Sequence, residues 1–230
     1  VATAAAAASA ANGVGAQTLT VVGKEGSSTV DVTAGDSAAK IAEAVNTKSG
    51  ETGVTATAKT TATLSGLSAD GSVTLNLQGT NTTAIGITAT VLSSDLSNLA
   101  SAINEQAGNT GITATLSDDK KSITLEQSAG YDIKVSDFSH GAGAGTIALT
   151  GSETGAQTLT HGTTDSSTVG GQVSFSSSAS FNVTSDKAAA DGSLFATAAA
   201  GANVSTLQSI NTLDITSVDG SSKAIEAVDG

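Results

Sequence analysis

From Gln17 the chain alternates apolar and polar residues twice, in "QTLTVVG" and in "STVDVT", with "GKEGS" between them. Period-two alternation on both sides of a Gly-containing turn predicts a β-hairpin with one buried face. The period then changes. In "AGDSAAKIAEAVNTKSG" the apolar residues Ala38, Ile41, Ala42 and Val45 fall at i, i+3, i+4 and i+7, with Asp36 placed as N-cap and Gly50 just past the end. That spacing predicts a short amphipathic helix over 36–48. Alternation returns in "TGVTATAKTTATLSG", so residues 17–66 read β-β-α-β.

The same order follows a second time. "SVTLNL" and "GITATV" predict strands, "SSDLSNLASAINEQAG" a helix over 94–107 with Leu96, Leu99, Ala100 and Ile103 inward, and "GITATL" a third strand. "NTKSGETGVTATA" (46–58) and "NEQAGNTGITATL" (104–116) agree at Asn, Gly, Thr-Gly, a β-branched apolar residue and Thr-Ala-Thr, at one fixed offset of 58 residues. Ile41 thereby matches Leu99, Val45 matches Ile103, Asn46 matches Asn104, Gly53 matches Gly111, and Val54 matches Ile112. Each pair holds a packing or turning position, so these ten residues read as the structural frame of a repeat.

The turn "SDDKKS" leads into "ITLEQ" and "YDIKVSDF", which close the second module near residue 138. From 139 to about 205 the chain is rich in Gly, Ser, Ala and Thr, with strand signals at "GTIALT", "AQTLT", "GQVSFSSSASFNVT" and "LFATAAA". "GAQTLT" occurs at both 15–20 and 155–160, each time with "SSTV" shortly after, a weak second echo. The tail predicts a strand at "LDIT", a turn at Asp219-Gly220 and the start of a helix with Ala224, Ile225 and Val228 on one side. The organisation expected is therefore an opening segment at 1–16, modules at 17–66 and 67–138, a β-rich segment at 139–205 and a return segment at 206–230. The fold class is α+β and sheet-rich, with tandem β-β-α-β modules whose short helices pack on antiparallel sheets.

Composition narrows the function. Only 2% of residues are aromatic, and Trp, Met, Cys and Pro are absent, so a core must be built in thin layers of Val, Ile, Leu and Ala. That suits sheets better than a large enzyme pocket. All nine basic residues are Lys, against 21 acidic ones, for a net charge of -12. A chain of this sign repels phosphate backbones and anionic lipid, which excludes nucleic acid and membrane as partners. Without Cys there is no disulfide framework and no thiolate metal ligand. The Ala-rich start, "VATAAAAASAA", is too short to span a bilayer and lacks the basic flank of a signal peptide. The start at Val1 and the stop at Gly230 within a helical pattern read as an internal piece of a longer protein.

Candidate chemistry is sparse. His140 and His161, the two histidines, lie in Gly/Ser/Thr-rich stretches with no H-E-x-x-H spacing and read as solvent-facing loop residues whose replacement by Ala should matter little. No G-x-S-x-G elbow supports a serine hydrolase. "GAGAG" at 141–145 lacks the spacing and the Lys of a phosphate loop and reads as a flexible surface loop. Asp118, Asp119, Asp165, Asp191 and Asp219 stand beside turn residues and do not form a D-x-D-x-D-G calcium loop. The sequence therefore assigns no catalytic, cofactor-binding or metal residue, and the chain reads as a non-enzyme. Asn-x-Ser/Thr triplets at Asn81, Asn182 and Asn203 carry no weight in so hydroxyl-rich a chain, although O-linked sugar attachment is chemically feasible.

"KIAEAVNTKSGETGVTATA" and "NLASAINEQAGNTGITATL" both resemble the flagellin "IN" motif, in which an amphipathic helix ending in Val/Ile-Asn is followed by a Gly-containing turn and a "TGVTA" strand. The motif is shared among flagellins and the hook-associated and cap proteins of the same filament. "LDITSVDGSSKAIEAVDG" is similar to the segment in which flagellins return from variable outer domains to the shaft helix, and the overall order looks most like polar flagellins of pseudomonad-type bacteria. The resemblance implies a structural protein, surface-exposed and antigenic, extracellular on the flagellar filament. Its partners would be other flagellin subunits, contacted through terminal regions this sequence lacks, and host antibodies; this piece by itself would be monomeric. A filament cap or hook-associated protein, or a surface adhesin module, are the alternatives.

Overall fold

A computed structural model describes residues 2–5, 11–152, 155–195, 201 and 203–204. Fifteen strands are described: β1 (Ala2–Ala5), β2 (Gln17–Val22), β3 (Ser27–Val32), β4 (Thr55–Ser65), β5 (Gly71–Gln78), β6 (Ile85–Val91), β7 (Thr113–Leu116), β8 (Ser122–Gln127), β9 (Ile133–His140), β10 (Thr146–Gly151), β11 (Gln157–Thr160), β12 (Ser166–Val169), β13 (Gln172–Ser176), β14 (Asn182–Ser185) and β15 (Asn203–Val204). Between β3 and β4 lie the helices α1 (Ala38–Thr47) and α2 (Ser49–Thr52); between β6 and β7 lie α3 (Ser97–Glu105) and α4 (Ala107–Thr110). The molecule is α+β and sheet-rich, with short helices and antiparallel sheets, as the alternation of periods predicts.

The chain divides into two compact units, each assembled from separated stretches of sequence: 1–16, 33–42 and 57–174 in one, 17–32, 43–56 and 175–230 in the other. In the first, one sheet has the order β1-β12-β9-β5-β6 and another the order β11-β10-β4-β8-β7, with β13 also on β4. Alternate residues of both sheets meet the inner stripe of α3 in one apolar cluster. Leu75, Leu77 and Val135 of the first sheet, Leu64, Leu125 and Leu149 of the second, and Leu96, Leu99 and Ile103 beside or on the helix are all fully buried. Phe138 is the largest fully buried side chain. Each such aliphatic residue contributes about 1.5–3 kcal/mol relative to exposure, which is how a core with so little aromatic surface is held.

In the second unit a four-stranded sheet runs β15-β14-β2-β3. Its hairpin pairs Leu19 with Val30, and Leu19, Val21, Val30, Val32 and Val183 are buried, the face that "QTLTVVG" and "STVDVT" prescribe. The GAQTLT echo does not extend to structure. β2 and β3 are hairpin partners, whereas β11 pairs with β10, and β12 lies between β1 and β9. Each repeated module also splits its strands: β5 and β6 share a sheet that β7 does not join, and β2 and β3 share one that β4 does not join.

The helix ends differ from the expected ones. The hydroxyl of Ser37, not the carboxylate of Asp36, accepts the Lys40 N–H (3.4 Å); Asp36 instead accepts from the Thr33 N–H (2.8 Å) and pairs with Lys40 Nζ (2.7 Å). Gly50 lies inside α2, and the left-handed residue ending the helical stretch is Gly53, at φ 71°. One extra turn, α2, accounts for the shift. Of the later strand signals, "LFATAAA" begins with bends at Leu194 and Phe195 and then passes outside the described residues; "LDIT", Asp219-Gly220 and the tail helix also lie outside them.

Candidate functional site

The ten frame residues converge on two helix–turn–strand junctions of the same construction. Ile41 and Val45 in α1, and Leu99 and Ile103 in α3, are buried to 1% exposure or less, as are Val54 and Ile112 where the chain leaves the turn. Asn46 and Asn104 follow the last inward residue and stand at the outer side of the helix end. The Asn46 carboxamide donates from Nδ2 to the Ala56 carbonyl (2.8 Å) and accepts the Ala56 N–H at Oδ1 (2.7 Å). Asn104 makes the same pair with Ala114, again at 2.8 and 2.7 Å. A carboxamide has the donor and acceptor on one edge that a peptide group has, so each Asn acts as a one-residue strand partner.

Inside each junction a one-turn helix is closed by threonine. Thr52 Oγ1 donates to the Lys48 carbonyl (3.0 Å) and accepts the Val54 N–H (3.2 Å); Thr110 does the same with Gln106 and Ile112 at the same distances. Gly53 and Gly111, at φ 71° and 69°, return their N–H to Ser49 and Ala107, a left-handed cap that glycine adopts without cost. The hairpin loop closes over the junction: a Cβ on Gly23 would lie 2.0 Å from the Thr52 carbonyl oxygen, and one on Gly79 would lie 2.4 Å from that of Thr110. Thr52 and Thr110, the threonines of the shared Thr-Gly pair, belong to the frame, as do Gly23 and Gly79, which lie outside the matched run. The signal for them is the threonine two residues before each β-branched residue and the glycine that ends each first strand.

Outside the frame the copies diverge. Lys48 and Glu51 form an ion pair (3.3 Å), and the Ser28 hydroxyl, then Lys48, hold Glu51 below the ordinary carboxylate range. At the matching positions Asn109 donates to Gln106 Oε1 (2.9 Å), two neutral amides in place of two charges. The two junctions share their backbone bonds and differ in the side chains at these surface positions. Among the described residues no three His, Cys, Asp or Glu side chains are placed to hold a metal.

Residues 18–70 match the sequence model of the flagellin hook IN motif. No curated protein matches the chain in sequence. Among solved structures it is similar to the flagellar cap protein FliD from Helicobacter pylori, at 13% identity and a TM-score of 0.25, over 57% of this chain and 51% of that one. It is also similar to the D2-D3 domains of the flagellar cap protein FliD from Escherichia coli, at 13% identity and a TM-score of 0.28, over 84% of this chain and 79% of that one. The chain thus spans about half the length of the H. pylori protein. The matched IN motif contains the first junction whole, from Gly23 through Asn46 to Ala56. No helix among the described residues is long and apolar enough to cross a membrane.

The histidines are not where the sequence puts them. His140 ends β9 and is 1% exposed, and His161 is half-buried beside it, its Nδ1 accepting the His140 N–H (2.8 Å). Ser139 Oγ lies 3.3 Å from that same Nδ1. With its lone pair already directed at an amide, Nδ1 is a poor base for the Ser139 hydroxyl, so the contact does not make a catalytic dyad.

Proposed function

We propose that this chain is a surface-exposed outer region of a flagellin, carried on the bacterial flagellar filament outside the cell. The observation that carries the reading is the IN motif over residues 18–70. The second junction supports it, because Asn104, Thr110, Gly111 and Gly79 repeat the first junction bond for bond. A frame written twice, with unlike surface residues on each copy, suits a region that extends outward and presents a variable, antigenic face. The domain boundaries at 66, 138 and 205, and the return segment at 206–230, belong to the same proposal. Assembly would run through terminal regions of the parent protein, with this region decorating the shaft. A net charge of -12 opposes self-association, so the isolated chain is a monomer.

The nearest second reading is a hook-associated or cap protein, since the matching motif is described as that of the flagellin hook. Gold-labelled antibody raised against this chain separates the readings on intact cells of the source organism. Label along the whole filament length supports the flagellin reading. Label confined to the tip or to the hook junction would replace it with the cap or hook-associated one, and label over the cell wall with an adhesin.

A further inference from the structure

The geometry points to a histidine latch, built from His140 and His161, that holds the 141–145 loop closed at neutral pH and releases it when the imidazoles gain protons. The loop "GAGAG" is wrapped on the His140 ring: a Cβ on Gly145 would lie 2.2 Å from Cγ of that ring, and one on Gly71 would lie 3.1 Å from its Cε1. Gly145 is thus glycine because the ring occupies the space. Both ring nitrogens of His140 are used. Nδ1 faces the Ala142 N–H (3.1 Å), which can only donate, so Nδ1 is the acceptor and the proton sits on Nε2, where it is donated to the Ala69 carbonyl (3.0 Å).

His161 repeats the logic. Its Nδ1 faces the His140 N–H (2.8 Å), again a donor, while its own N–H goes to the Gly145 carbonyl (3.1 Å). One imidazole therefore holds the start of the loop by a peptide N–H and its backbone holds the end. Histidine is the side chain that changes charge between about pH 5 and 8. A proton added at either Nδ1 sets two donors against each other and removes an acceptor from a peptide N–H, so the closed loop binds the neutral rings only.

The carboxylates on and beside the surrounding strands are engaged elsewhere. Asp70, next to Ala69, accepts from the Ser93 N–H and hydroxyl; Asp137 accepts from Asn76 Nδ2; Asp165 accepts from the Ser166 hydroxyl. Among the described residues neither ring is hydrogen-bonded to a carboxylate or paired with a Lys, and the second titrating group facing each ring's neighbourhood is the other histidine.

Two measurements on the whole 230-residue chain test the latch. Ring nitrogen shifts at pH 8 should show Nδ1 unprotonated in both histidines; a protonated Nδ1 in either would overturn it. Amide exchange, corrected for intrinsic rates, should show protection at His140 and Ala142 falling about tenfold or more from pH 8 to pH 5. The Ala114 amide, held by the Asn104 carboxamide, should keep its protection. Unchanged protection at His140 and Ala142 would sink the proposal. His161→Asn places a non-titrating carbonyl near the position of Nδ1, and the His140 amide should then lose its pH dependence. If that dependence persists in a folded H161N chain, His161 is not the sensor and the latch is wrong as drawn.

Discussion

Asn104 and Ala114 meet twice, each giving the other one hydrogen bond, and this exchange closes the helix onto the strand ten residues later. Asn104→Ala leaves the N–H and the carbonyl of Ala114 without their partner. Because the site is part-exposed and water can partly replace the amide, the cost should be about 1–2 kcal/mol. Asn46→Ala should cost about as much. Asn104→Asp keeps the acceptor for the Ala114 N–H and sets a carboxylate against its carbonyl, so it should rescue little. Urea unfolding followed by far-ultraviolet circular dichroism gives the three values; a loss under about 0.3 kcal/mol in both alanine variants would remove the asparagines from the frame.

The glycines separate into two kinds with opposite expected signs. Gly23→Ala and Gly79→Ala drive a Cβ into a backbone carbonyl and should destabilise by about 1–3 kcal/mol. Gly50 and Gly108, inside the one-turn helices, have no atom within 4 Å of an added Cβ and no left-handed φ. Alanine there should stabilise by about 0.4–1 kcal/mol, chiefly by narrowing the unfolded ensemble. Melting temperatures of the four variants would show the split.

His140→Ala should be costly, contrary to what the sequence suggests. It empties a filled site and leaves the Ala142 N–H and the Ala69 carbonyl unpartnered, for a loss of about 2–4 kcal/mol. His161→Ala strands the His140 N–H and removes the Ser139 hydroxyl contact, and should cost about 1–2 kcal/mol. Equilibrium unfolding at pH 8 makes the comparison.

Two aspartates should give pH dependences of opposite sign. Asp95 is held below its usual 3.8, first by the Ser97 hydroxyl and then by the Ser97 N–H, so the folded state holds fewer protons than the unfolded one around that value. Its contribution is present above about pH 4 and lost as pH falls through the lowered value. Asp132 is held above 3.8 because burial disfavours its charge, against the Asn12 amide that donates to both of its oxygens (3.1 Å each). There the folded state holds more protons, and stability falls as pH rises from 3.8 through the raised value. Urea midpoints between pH 2.5 and 6 should lose part of their acid decline in Asp95→Asn and part of the opposing slope in Asp132→Asn.

The inward packing positions of both modules were legible because each answers to a local rule. Period 3.6 places Ile41 and Val45 inward, period two does the same for Leu19 and Val30, and a glycine marks each left-handed turn. What lay hidden depends on distant partners. His140 looks like a loop residue until Ala69, 71 residues away in sequence, supplies its second bond. Asp137 adopts a left-handed φ of 54° at the place where the register of β9 against β5 shifts, held by Asn76 from 61 residues away. Gly50 sits where a helix-stop glycine is expected, and only the further turn α2 moves the stop to Gly53. The separation of β4 and β7 from their own hairpins is likewise a matter of sheet membership, on which periodicity is silent.

Among the described residues β7 is the last strand of its sheet, with β8 on one side. An open strand margin is a template on which another chain can add and aggregation can start. By taking both the N–H and the carbonyl of Ala114, Asn104 fills the position an incoming strand would need. The residue that closes the module therefore also occupies one pairing position on its margin, which a strand added there would have to displace.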